Sequence, residues 1–396
     1  MKPLDSPQAI NRPLVACASL PVNELHPVVN INLNGPDDAM TVWCEDVLGR
    51  ANLWFGRENH PSVWLNHADY LRACDEAYGE LTLASRFRPF SRDVPNVVCV
   101  VRNEERRLRS LFRHYRSLGA ASIHVIDNGS SDRSAEIALA DPLVTLWKTD
   151  AGFAAGGFGQ LWCGAIARRH GLGSWILNVD ADEHLAYVGM ESRGLDQLQS
   201  WLEAAGYERL FTPLVDLYCR EWASRACDGE QWTSHDLYFD GNTEFGHSYQ
   251  LNNGPYGPVL LGGPRARMMA SIGEKNSPWL SKFALAKWDS NTAYANVHFP
   301  YPFNRNPRTC FGALLHLKLL DDFEERVSRA IREDQHWKGA SEYRGYRNWL
   351  ERYRGQTCYS SKTSVKYHGP QCLVSAGILR AIPWNECNEP INNESS

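Results

Sequence analysis

The run from residue 96 to residue 179 constrains the fold more than any other part of the chain. Asn96 to Val101 (NVVCVV) is a continuous apolar, β-branched run, the pattern of a strand covered on both faces. Asn103 follows as a helix N-cap. The next segment, EERRLRSLFRHYRSLG, sets Leu108, Leu111, Phe112, Tyr115 and Leu118 on one helical stripe. Glu104 and Glu105 fall in its first turn, where the helix dipole favours acids, and Gly119 stops it. Ser122 to Ile126 (SIHVI) reads as a second strand. Asp127 to Asp132 (DNGSSD) reads as a turn that caps a helix over Arg133 to Ala140. Val144 to Trp147 is a third strand and Gly152 to Gly159 (GFAAGGFG) a flexible loop. Gln160 to His170 is a helix, and Trp175 to Val179 a fourth strand. Strands that alternate with helices in this way form right-handed crossovers and a mostly parallel sheet.

Ligands of such sheets sit at the carboxyl ends of the strands. Three of those ends are polar here: Arg102-Asn103-Glu104, Asp127-Asn128, and Asp180 to His184. The chain has 396 residues, enough for two to three domains of about 150 residues or for one large α/β domain with appendages. Its net charge of −5 argues against a dedicated nucleic-acid binder, which needs a basic excess to neutralise phosphates. No run approaches the roughly 18 apolar residues of a membrane span. The N-terminus is too rich in proline for a signal peptide. The 11 cysteines form no CxxC pair, and Cys219 and Cys227 have the wrong spacing for a zinc knuckle. Free thiols of this kind fit a reducing compartment, so the expected location is the cytoplasm.

The strongest chemical signal is NVDADEH at 178 to 184. Period-two geometry at the end of a strand puts Asp180 and Asp182 on the same side. Two adjacent carboxylates repel, and a divalent ion with oxygen ligands and open positions, Mg²⁺ or Mn²⁺, relieves that repulsion. An EF-hand would need glycine where Leu185 stands. A phosphotransferase of the haloacid dehalogenase type would carry its DxD on the first strand and continue to threonine. No dinucleotide fingerprint, P-loop or GxSxG elbow is present.

The order of these motifs resembles the inverting glycosyltransferase family 2, which has the GT-A fold. The stretch VVCVVRNEERRLRSLFRHYRSLGAASIHVIDNGSSD is similar to that family's first strand, helix and nucleotide-binding Asp turn. NVDADEH resembles its DxD, in the branch that carries a VDADE form. Later blocks match the same branch: Gly262 to Arg267, Ala313 to Lys318, and Tyr359 to Tyr367. The resemblance implies an α/β GT-A fold, a Rossmann-like, mostly parallel sheet flanked by helices, over residues 92–320. Residues 1–91 are then an N-terminal extension of unknown role, 321–385 a helical C-terminal part, and 386–396 a disordered tail.

The resemblance also implies roles. Asn103, Glu104, Asp127 and Asp180 would line the nucleotide-sugar site, and Arg265 and Arg267 would hold the diphosphate. Asp180, Asp182 and His316, with His298 as its rival, would bind Mn²⁺ or Mg²⁺. The catalytic base falls on Glu274, with Asp216 and Asp289 as rivals. The expected function is metal-dependent transfer of a sugar from a nucleotide sugar to a hydroxyl of a glycan or glycolipid. UDP is the expected nucleotide, because Asp127 suits a uracil N–H. Peripheral membrane association stays open. The rival readings are a phospho- or nucleotidyltransferase on the same metal edge, and a non-catalytic glycan-binding protein that uses its aromatic residues.

Overall fold

The computed structural model describes residues 67–222, 237–241, 250–254, 257–274, 278–296 and 298–384. Candidate strands at Met40 to Cys44 and Ala51 to Phe55, and the tail 386–396, lie outside the described residues.

The first half of the described chain follows the sequence closely. The elements are α1 (His67–Gly79), β1 (Thr82–Leu83), β2 (Asn96–Val101), α2 (Glu105–Ser117), β3 (Ile123–Asp127), α3 (Ser134–Ala140), β4 (Val144–Lys148), α4 (Gln160–His170) and β5 (Trp175–Asn178). Strands β4, β3, β2 and β5 lie side by side in that order, all parallel. Their side chains are nearly all buried, which is why both faces read apolar in the sequence. The edges are antiparallel. β1 pairs with β4, and on the far side β12 (Leu285–Lys287) pairs with β5 and then with β7 (Arg209–Leu210). The result is a seven-stranded, Rossmann-like α/β sheet with a parallel centre.

The helices pack closely enough to demand small residues. A Cβ on Gly164 of α4 would come within 2.1 Å of the Tyr70 hydroxyl of α1. Gly159, which precedes α4, has φ +86°, and a Cβ there would stand 2.8 Å from Val100 Cγ2.

Beyond Leu210 the sequence reads as irregular, and the structure corrects that reading. A five-stranded second sheet is built from β6 (Glu183–Tyr187), β8 (Leu214–Cys219), β9 (Leu237–Asp240), β15 (Gly312–Leu319) and β16 (Ser364–Lys366). Its order is β16-β9-β8-β15-β6. The glycine- and asparagine-rich stretch from Asp240 to Pro264 holds a hairpin of β10 (Gln250–Gly254) and β11 (Gly257–Leu261), and α6 (Gly263–Ser271) begins within it. The C-terminal part is mostly helical: α7 (Phe323–Glu333), α8 (Trp337–Arg352) and α9 (Pro370–Ser375). α7 and α8 cover the second sheet through an apolar cluster that includes Tyr218, Met268, Leu319, Phe323, Val327, Tyr346 and Trp349.

Short links carry the chain from the large sheet into the second one, residues 179–182 between β5 and β6 and residues 211–213 between β7 and β8. β5 ends at Asn178 in the large sheet, and β6 begins at Glu183 in the second. α2 fastens this junction. Tyr115 donates its hydroxyl to the Glu183 carbonyl at 2.8 Å and accepts the Leu185 N–H at 3.1 Å. Beside it, the His114 and His184 rings stack at 4.6 Å, 8° from parallel.

Both rings are held neutral. Burial lowers His114 to about 4 and holds His184 well below the usual histidine range. A histidine whose folded pKa lies below its unfolded value of about 6.5 contributes stability above that pH and loses it as pH falls. Unfolding by urea should therefore show a loss of about 2 kcal/mol per buried histidine between pH 7 and pH 5. His184→Phe should flatten that slope, and an unchanged slope in the variant would remove the stack as its source.

Candidate active site at the junction of the two sheets

The junction turn is 179–182, and it carries the DxD. Its backbone is set by neighbours on both sides. Glu183 reaches back three residues, and its carboxylate accepts the Asp180 N–H at 2.8 Å. The Asp182 carbonyl accepts the Leu317 N–H of β15 at 2.8 Å. The two carboxylates thereby receive opposite environments. The Asp180 side chain is 68% exposed, and that of Asp182 is 6% exposed.

Lys282 is the cation on the Asp180 side. The antiparallel register of β12 on β5, Leu285 opposite Leu177, brings the residues before β12 level with the end of β5. Lys282 Nζ stands 2.6 Å from Glu183 and 3.8 Å from Asp180. Burial, and then the charge of Asp180, push Glu183 up to about 7 in spite of this pair. His298 lies against the same group. It donates Nδ1–H to the Ser281 carbonyl at 2.6 Å, and burial, then Lys282, lower it to about 4.

The Asp182 side is built from the second sheet. In β15, His316 stands opposite Glu183 of β6 and Asp216 of β8. His316 Nδ1 donates to Asp216 at 2.6 Å, and its Nε2 lies 3.6 Å from Asp182 Oδ2. Asp216 is fully buried and also accepts Arg265 Nε at 2.8 Å. Burial would raise Asp216, but Arg265 and His316 outweigh it and hold the carboxyl at about 2. The bond to Asp216 fixes the proton of His316 on Nδ1. Nε2 is thereby turned toward the Asp182 carboxylate, an arrangement that is favourable with a cation between them. A carboxylate behind a histidine is also the usual support of a metal-ligating imidazole. Among the described residues no group of three or more His, Cys, Asp or Glu side chains is arranged to hold a metal. Asp182 and His316 could hold an ion that draws its remaining ligands from substrate and water, the habit of Mg²⁺ and Mn²⁺.

Arg326 of α7 completes the surroundings of Asp182. Its Nη1 donates to Asp182 Oδ2 at 2.8 Å, and Nη2 stands 3.4 Å from Glu104. Burial would raise Asp182, but Arg326, His316 and Arg107 hold it well below the usual carboxylate range. Glu104 therefore belongs to the ionic cluster around Asp182, where Arg107 also stands 3.6 Å away.

Other expected site residues do different work. Asn103 does not cap its own helix. It has φ +56°, and its Oδ1 accepts the Ser131 N–H at 2.7 Å and the Asp132 N–H at 3.3 Å, locking the DNGSSD turn. Asp132 does the capping, accepting N–H groups from both Glu105 and Ser134. Asp127 is buried, and its carboxylate accepts the Ser130 N–H at 3.1 Å. Arg265 and Arg267 lie on α6 but are engaged with protein carboxylates. Arg265 holds Asp216, and Arg267 forms a two-pronged bond to Asp240 at 3.1 and 2.9 Å. Asp289 accepts the Thr292 N–H of its own turn and pairs with Arg305 at 2.7 Å. Glu274 follows α6, and a Cβ on Gly345 of α8 would stand 2.9 Å from its carboxylate.

A cavity of about 280 Å³ opens on the same strand edge. It is lined by Arg102 and Asn128, which follow β2 and β3, by Asp150 to Phe153 after β4, and by Glu333 at the end of α7 and Gln335 beyond it. His336, the next residue, approaches Phe153, with ring centres 6.1 Å apart. Burial, then the charge of Lys318, lower His336 to about 4.

No family model matches the chain, and no curated protein does. Among solved structures, it is similar to the mannosyltransferase PcManGT from Pyrobaculum calidifontis in complex with GDP-Man and Mn²⁺. The two are 16% identical over 46% of this chain, with a TM-score of 0.22. The match spans about half of that structure, 48% of its chain. That overlap is too small to assign a fold or an activity, so the reading of this site rests on its own residues.

The ion pairs generate one expectation by themselves. Lys282→Met leaves Glu183 and Asp180 without their buried cation and should cost about 3 to 5 kcal/mol. The double variant Lys282→Met/Glu183→Leu should regain much of that loss in chemical unfolding. A double variant as weak as the single one would mean that Lys282 matters through its packing.

Proposed function

We propose that this chain is a metal-dependent glycosyltransferase. It moves a sugar from a nucleoside diphosphate sugar, with UDP as the nucleotide, to a hydroxyl of a glycan or glycolipid acceptor. The observation that carries this reading is the pair of Asp182 and His316 at the carboxyl edge of a parallel sheet. Asp216 orients the histidine, and a cavity of about 280 Å³ opens on the same edge.

The roles follow from the geometry. Asp182 and His316 would hold Mn²⁺ or Mg²⁺, with Asp180, or His298 from the Lys282 side, as a further ligand. When bound, the ion supplies a Lewis acid for the charge that gathers on the leaving diphosphate. Lys282 adds positive charge that is already in place, so little reorganisation is needed there as the sugar departs. The nucleoside would enter the cavity beside Asn128. There the Phe153 ring offers a stacking face, and the Asp150 carboxylate can accept a uracil N–H. Asn103 and Asp127 hold the floor of this subsite through the DNGSSD turn.

An inverting reaction requires a base for the acceptor hydroxyl. Asp216 and Asp289 are each tied to an arginine. Glu274, on the loop after α6, is therefore the candidate, with the acceptor approaching from that side. No helix among the described residues is long and apolar enough to cross a membrane. A glycolipid acceptor would be met by peripheral association with the membrane surface.

Thermal unfolding with a panel of nucleotides and nucleotide sugars, with and without Mn²⁺, tests the reading. A ligand at 100 times its Kd stabilises by about 2.7 kcal/mol. A Mn²⁺-dependent shift with a UDP-sugar is expected in the wild type and not in Asp182→Ala. Release of inorganic phosphate in place of UDP would favour a phosphotransferase. No shift with any nucleotide would overturn the reading.

A further inference from the structure

Asp182 Oδ2 is approached by two groups at once. His316 Nε2 lies 3.6 Å away, and Arg326 Nη1 donates to the same oxygen at 2.8 Å. A guanidinium there and a divalent cation would draw on the same lone pairs and repel each other. The helix that carries Arg326 is firmly seated. Asp322, one turn before Arg326, takes both terminal nitrogens of Arg107 at 2.7 Å, and Asp321 takes Arg106 at 3.2 Å. The side chain itself has a second carboxylate within reach, since Nη2 already stands 3.4 Å from Glu104. Arg326 can therefore leave Asp182 by a change of rotamer, with α7 in place and with Glu104 as its retained partner.

We infer that Arg326 is an internal counter-ion of Asp182 that the divalent cation must displace. Cation binding is then suppressed until an anionic diphosphate arrives to receive the guanidinium. The inference rests on the reading of Asp182 and His316 as cation ligands. The exchange breaks and forms ionic hydrogen bonds only. Asp182 gives up the guanidinium and gains the cation, and Arg326 keeps Glu104 and gains phosphate oxygens. Arginine suits that second partner because its planar fork matches phosphate oxygens in pairs. The coupling is reciprocal: diphosphate that draws Arg326 away raises cation affinity, and the cation raises diphosphate affinity by the same factor.

The test is titration of the full chain with Mn²⁺ alone, followed by electron paramagnetic resonance of the free ion. Arg326→Gln should bind Mn²⁺ roughly ten- to a hundredfold more tightly than the wild type, the range by which neighbours of metal ligands usually act. Arg326→Lys should fall between them, because an ammonium holds the charge without the fork. Asp182→Asn should abolish binding in each background. A residue that served only the fold would lower Mn²⁺ affinity when removed, so a gain separates the two roles. Equal affinity in wild type and Arg326→Gln would overturn the inference and leave the cation site standing. Absence of Mn²⁺ binding in every variant would overturn the cation site and the inference with it. Should Arg326→Gln fail to fold, wild-type affinity in Arg326→Lys would overturn the inference.

Discussion

The Asp182 carboxylate is buried and charged, and the second half of the molecule is arranged to keep it so. An isolated carboxylate in such a place would take up a proton before it stayed ionised. Here α7 brings Arg326 to it, and β15 brings His316, itself oriented by Asp216 of β8. Arg265 of α6 then neutralises Asp216. Each charge taken out of water calls for another, so the requirement spreads outward from one turn through four elements of the second sheet and its covering helices. The apolar cluster of Phe323, Val327 and Tyr346 supplies the adhesion, and the ionic row fixes which residue meets which.

This also accounts for the position of the DxD. A turn that ended one sheet and ran into solvent would expose both acids equally. Because β5 passes directly into β6, the turn is held at both ends, with Asp180 left open to solvent and Asp182 turned inward. The pair is thus divided into one residue that can meet a substrate and one that meets the interior. Lys282 and Glu183 keep the exposed half in place from the large-sheet side.

The sequence made the large sheet readable because β2, β3 and β4 are each followed by a helix of their own. Period 3.6 alternates there with continuous β-branched runs, and the signal is local. The second sheet has no such alternation. β8 and β15 pair across the register Asp216 to His316, and β6 is only Glu183–Tyr187, so the partners that make these segments strands lie far away in the chain. The same distance hid the cations. Lys282 sits in SKFALAK and Arg326 in EERVSRAIRE, contexts that look like any solvated face. The nearest local sign is that Arg326 adjoins Val327, which shares the buried stripe of α7 with Phe323 and Ala330.

The two arginines that the sequence did single out, Arg265 and Arg267, show why counting cations near a candidate phosphate site misleads. Both lie in the first turns of α6, just after a pair of glycines, and both carry the fork that phosphate recognition needs. Yet each already has a carboxylate beside it, Asp216 and Asp240. Their charge is committed before any ligand arrives. Phosphate is better served by a cation whose present partner has another claimant. Arg326 meets that condition, because Asp182 faces His316 as well and Glu104 can retain the arginine. What marks a binding cation in a network like this is the competition for its partner, and exposure alone would have missed it.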